Sequence, residues 1–81
     1  MQCFVYRSRK KANTYLYIPK QDDFSDIPDG LMRLFGKPEL ALKLDLTPDR
    51  KLAVANASDI INSLNQQGFY LQMPVEDGHP A

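Results

Sequence analysis

The residues best suited to chemistry cluster near the N-terminus, where Arg7, Arg9, Lys10 and Lys11 fall within five positions and Phe4, Tyr6, Tyr15 and Tyr17 flank them. Cationic side chains hold phosphates and aromatic rings stack on unpaired bases, so this combination suits contact with single-stranded RNA. Its discriminating feature is exposure of Tyr6, Tyr15 and Tyr17, because covered rings are core and leave only charge. Single-stranded RNA binding is nonetheless the alternative reading; the leading one is a solvated basic turn on a noncatalytic protein-interaction or adaptor module, whose partner contacts an exposed strand edge or the face carrying Tyr70 and Gln72. The glycine-interleaved aromatic signature of RNA-recognition domains is absent from the sequence.

Catalytic chemistry finds little footing. A reactive thiolate needs a nearby base or positive dipole, whereas the one histidine, His79, stands at the far end of the chain from Cys3. Cys3 is therefore expected to be buried as a small apolar residue. Asp22, Asp23, Asp26 and Asp29 crowd together but lack the calcium-loop spacing and its terminal glutamate, and are expected to serve the loop and a helix start. Glycines 30, 36, 68 and 78 are too dispersed for a phosphate-cradling loop, and no serine has a nucleophile-elbow context. No catalytic residue, metal ligand or cofactor site is expected, and the chain reads as a non-enzyme.

The elements that position the basic cluster follow from pattern. Residues 2–8 are rich in aromatic and β-branched types and predict a strand; polar residues 9–13 form a turn, with Asn13 able to adopt positive φ, and residues 14–18 resume the β pattern as a hairpin partner. Pro28 and Asp29 suit the start of a helix reaching about Phe35, with Leu31, Leu34 and Phe35 as its apolar stripe and Gly36 and Pro38 as its stop. Residues 39–46 alternate, placing Leu40, Leu42, Leu44 and Leu46 on one face of a third strand. Residues 47–50 are turn chemistry, residues 52–55 add a short extended piece, and Asn56 caps a second helix running to about Gln67. Gly68 ends it, and residues 69–73 form the last strand.

The order β-β-α-β-α-β predicts an α+β domain, a small, mainly antiparallel sheet of about four strands with two short helices packed on it. Neither helix is long enough to be stable alone in water, so both must lay their stripes on the sheet. The expected core is Val5, Leu16, Ile18, Leu31, Leu34, Phe35, the four alternating leucines, Ile60, Ile61, Leu64, Phe69 and Leu71.

With 81 residues, 43% hydrophobic and no net charge, there is room for one domain, expected over residues 1–74 with a loose tail at 75–81. A single cysteine excludes an internal disulfide. No apolar run approaches the roughly 20 residues of a bilayer helix, and the N-terminus lacks the order of a signal peptide, so a cytoplasmic protein with no membrane partner is expected. Neutrality hides a division: residues 1–20 carry five bases and no acid, the remainder five bases and ten acids. Such asymmetry marks a contact surface unless the fold brings the two stretches together.

Many short matches in order, Tyr6-Arg7-Ser8, Thr14-Tyr15-Leu16-Tyr17, Asp23-Phe24, Ile27-Pro28, Leu31, Phe35-Gly36-Lys37-Pro38, Arg50-Lys51-Leu52 and 68–74 (GFYLQMP), resemble the YcgL domain family of gammaproteobacteria. The resemblance spans nearly the whole chain, from Cys3 to Pro74, and none of its motifs is a catalytic signature. It implies a small cytoplasmic α/β domain for which no activity, cofactor or catalytic residue is established. Genes of the family often lie beside that of ribonuclease D, which is compatible with an RNA-related role and identifies no residue. Longer members continue past the position matching Pro74, so a function residing in that extension is not expected here.

Overall fold

The computed structural model describes residues 1–49 and 56–73; the extended piece expected at 52–55, Arg50 of the turn, His79 and the tail expected at 75–81 lie outside the described residues. Four strands and two helices follow in the expected order: β1 (Gln2–Ser8), β2 (Tyr15–Ile18), α1 (Asp29–Phe35), β3 (Pro38–Asp45), α2 (Ala57–Gln67) and β4 (Tyr70–Gln72). The sheet runs β3-β1-β2-β4 and every neighbouring pair is antiparallel. The α+β arrangement read from the sequence is the one observed.

The β1–β2 hairpin forms because Asn13 takes φ 57, a conformation asparagine tolerates better than most residues, while the Ser8 amide donates to the Thr14 carbonyl at 3.0 Å. At the end of α2, Gly68 adopts the left-handed conformation and its amide donates to the Leu64 and Ser63 carbonyls, the arrangement that satisfies otherwise orphaned carbonyls. Gly36 ends α1 at φ 80. Pro28 stands one position earlier than the sequence suggests, at the N-cap of α1 rather than inside its first turn.

The helices cover opposite faces of the sheet. On one face, Ala57, Ile60 and Leu64 of α2 pack with Cys3, Val5, Tyr17 and Leu46. On the other, Phe35 of α1 and Ile27 of the preceding loop pack with Phe4, Tyr6, Leu16 and Ile18. Successive side chains of a strand point to opposite faces, so β1 and β2, covered on both, bury all but Gln2 and Arg7, which are exposed, and Tyr15, which is half-buried.

Three expected core residues differ. Leu34 is 59% exposed, because Phe35 supplies the buried side of α1 while Leu31 and Met32 are half-buried beside it. Leu40 and Leu42 are 40% and 48% exposed, and the four alternating leucines do not share a face. The β1–β3 register shifts between Val5 and Tyr6: Leu42 lies opposite Val5 and Leu40 opposite Tyr6, leaving Ala41 as an extra residue. This bulge turns Leu40 to the α1 face while Leu42, Leu44 and Leu46 stay on the α2 face. β3 is also the outer strand, and α2 packs on β2 and β4, so among these four leucines only Leu46 is fully buried.

Candidate interaction surfaces

The hairpin residues singled out for phosphate and base contact are dispersed by the fold. Tyr6, on the α1 face, is 2% exposed; its hydroxyl donates to Asp22 Oδ1 at 2.9 Å and accepts the Asp22 amide at 2.7 Å, and its ring meets Phe24 edge-on at 4.9 Å. Tyr17, on the α2 face, is buried, donates to Gln72 Oε1 at 2.7 Å and packs edge-on against Tyr70. Burial pushes both phenols above their ordinary pKa, since desolvation penalises phenolate. These two rings are core and cannot receive a base without unpacking. Tyr15 is half-buried, so a stacking surface on this hairpin reduces to that ring.

The cations also diverge. Arg7 faces Glu39 across the β1–β3 ladder and forms an exposed ion pair with it. The pair raises the Arg7 pKa and lowers that of Glu39. Lys10 Nζ reaches back to the Arg33 carbonyl in the last turn of α1 at 3.3 Å, where the helix dipole favours a cation. Lys11 borders an apolar pocket, and Arg9 is exposed on the turn.

Ser8 sets this geometry. Its buried hydroxyl donates to the Phe35 carbonyl at 2.6 Å and accepts the Lys10 and Lys11 amides at 3.2 and 2.9 Å. One side chain thereby ties the turn to the end of α1 and fixes where the two lysines leave the hairpin. The acidic stretch is likewise used internally in part: Asp22 holds Tyr6, and Asp23 accepts the Ser25 hydroxyl and amide, which lowers its pKa. Cys3 lies fully buried in the α2-face core.

Two surfaces then stand out. One is β3, an eight-residue outer strand whose stretch from Leu40 to Lys43 is exposed throughout; Lys43 Nζ sits 6.0 Å above the Phe4 ring on the α1 face. The other is a pocket of about 120 Å³ between α1, the hairpin turn and β4, lined by Leu31, Leu34, Phe35, Leu71, Met73, Thr14 and Lys11. No cluster of three metal-ligating side chains occurs among the described residues. No described helix is long and apolar enough to cross a membrane.

The family model of the YcgL domain matches residues 3–75. The chain belongs to the YcgL domain family. It is 51% identical over 74 residues to a YcgL domain-containing protein of Aeromonas salmonicida, covering 91% of this chain and 80% of the relative. A YcgL domain-containing protein of Thioalkalivibrio sulfidiphilus is 45% identical over 80 residues, 99% of each chain. Protein YcgL of Salmonella typhi is 49% identical over 91% of this chain and 67% of its own.

Sequence reasoning about this YcgL domain missed the anchoring role of Ser8 and the pocket beneath α1. A serine just before a polar turn is a weak signal for a hydroxyl that gathers amides, and nothing local announces its bond to Phe35, 27 residues away. The pocket joins residues from three separate elements, so no spacing in the chain marks it.

Proposed function

We propose that this YcgL domain is a noncatalytic protein-interaction or adaptor module of the cytoplasm that takes a protein partner along β3. The observation that carries the reading is an outer strand of eight residues with Leu40, Ala41 and Leu42 exposed. An outer strand presents backbone donors and acceptors to a second chain, and exposed leucines on it add apolar area to such a contact. Burial of Cys3 and the engagement of Asp22 and Asp23 by Tyr6 and Ser25 are in keeping with a noncatalytic role.

A second reading, a single-stranded RNA-binding module, draws on the exposed Arg9, Lys10 and Lys11 of the hairpin turn. With Tyr6 and Tyr17 buried, its affinity would come mainly from charge, which salt screens. One comparison separates the two. The Leu40→Lys/Leu42→Lys double variant and the unaltered domain are used as baits in lysate, and amide shifts of the unaltered domain are followed as mixed single-stranded RNA is added at about 0.15 M salt. Proteins retained by the unaltered domain and lost from the variant, with flat RNA titrations, are expected. Saturable shifts confined to residues 7–17, with no such difference between baits, would overturn the protein-partner reading in favour of RNA.

A further inference from the structure

Hydrogen-bond phase along the sheet identifies a second docking element. The Ser8 amide bonds the Thr14 carbonyl, so on β2 the even-numbered residues direct their backbone groups at β1 and the odd-numbered Tyr15 and Tyr17 direct theirs at β4. Their partners there are Gln72 and Tyr70. Leu71, between them, therefore turns its own N–H and C=O to the outer edge of β4, where no described strand pairs with it.

The Leu71 side chain belongs to the α1 face and forms one wall of the pocket. In an antiparallel pair, residues opposite each other send their side chains to the same face. A chain added to β4 thus exchanges two backbone hydrogen bonds with Leu71, and its residue opposite Leu71 points at Leu31, Leu34, Phe35 and Met73. The pocket's volume of about 120 Å³ is close to that of an apolar cavity of about 150 Å³ that accepts benzene, and matches a branched aliphatic side chain. Lys11 supplies the charge at the rim and makes no side-chain hydrogen bond or ion pair with a described residue. A carboxylate two positions from the aliphatic residue lies on the same face of the added strand and within the field of that ammonium.

We propose that the outer edge of β4 and the pocket beneath α1 form a docking site for an extended peptide that carries a leucine-like side chain with an acidic residue two positions away. The inference deepens the protein-interaction reading and rests on it, but uses the edge opposite to β3.

The test follows amide and methyl shifts of the full chain while adding acetyl-TETLTET-amide, in which the leucine and both glutamates share a face. Saturable shifts centred on Leu71, Met73 and the Leu31 and Leu34 methyls are expected. Replacing the peptide's leucine with alanine should weaken binding at least about tenfold, and a lysine-flanked version, TKTLTKT, should bind more weakly than the acidic one. Lys11→Glu should reverse that order. Leu34→Asp, at an exposed position, should abolish binding while leaving the remaining spectrum in place.

Absence of shifts at Leu71 up to about 5 mM peptide, or equal binding of the alanine peptide, would overturn the proposal. Shifts at Leu71 that depend on protein concentration without peptide, or contacts there from residues 74–81, would instead assign the site to a second copy or to this chain. Because the lysate comparison is read at Leu40 and Leu42, failure at β4 leaves the β3 result standing, and failure at β3 leaves the peptide titration standing.

Discussion

β1 and β3 are neighbours of similar length, and their sequences suggest the opposite of what they bury. β3 alternates leucine with other residues almost perfectly, yet Leu40 and Leu42 are exposed. β1 hardly alternates, and Cys3, Phe4, Val5 and Tyr6 are all buried. The difference is position in the sheet. β1 has a strand on either side and a helix layer against each face, whereas β3 is an outer strand that a bulge twists at Ala41 and whose stretch from Leu40 to Lys43 stays exposed. Period tells which side chains share a face; it does not tell whether anything covers that face, and a bulge can break even the first rule.

Substitutions sharpen the contrast. Leu16→Ala, in the doubly covered strand β2, should cost about 2–5 kcal/mol, a large part of the roughly 4–12 kcal/mol expected for a domain of this size, and urea unfolding would show it. A loss under about 1 kcal/mol would mean the central strands are packed no better than the edge.

Gly68, at the end of α2, and Gly30, inside α1, form the next pair. At Gly68, φ is +87 and an added Cβ would stand 2.7 Å from Asp26 Cβ, so Gly68→Ala should cost about 1–2 kcal/mol from backbone strain alone. At Gly30 an added Cβ meets nothing within 4 Å, and Gly30→Ala should stabilise by up to about 1 kcal/mol. Thermal unfolding of both variants checks the opposed signs; a shared sign would refute the pairing.

The buried phenols link this packing to pH. Desolvation raises the folded-state pKa of Tyr6 and Tyr17. A group raised in this way contributes stability that is complete below its unfolded pKa of about 10 and is lost as pH climbs past it. Urea midpoints should hold on the alkaline side of neutrality and fall above about pH 10, with phenolate absorbance appearing together with unfolding. Early ionisation of both tyrosines without unfolding would place them at the surface.

Much of the fold was legible in the sequence because its signals are local. The strand of residues 2–8, the positive φ at Asn13, the helix stops at Gly36 and Gly68 and the element order all follow from side-chain type over a few residues. What was not legible depends on distant partners. Tyr6 and Tyr17 turn from possible base-stacking rings into core through Asp22 and Gln72, 16 and 55 residues away. The scattering of Arg7, Lys10 and Lys11 likewise depends on Glu39, the end of α1 and the pocket wall, none of which the cluster's spacing encodes.

The smallest expected effect is the most telling. If burial follows place in the sheet and the β3 leucines are left for a partner, the Leu40→Lys/Leu42→Lys double variant should unfold in urea within about 0.5 kcal/mol of the unaltered domain, as surface substitutions do. A loss of about 2 kcal/mol or more would show that these leucines hold the fold together, and would remove the reason for assigning them to a partner.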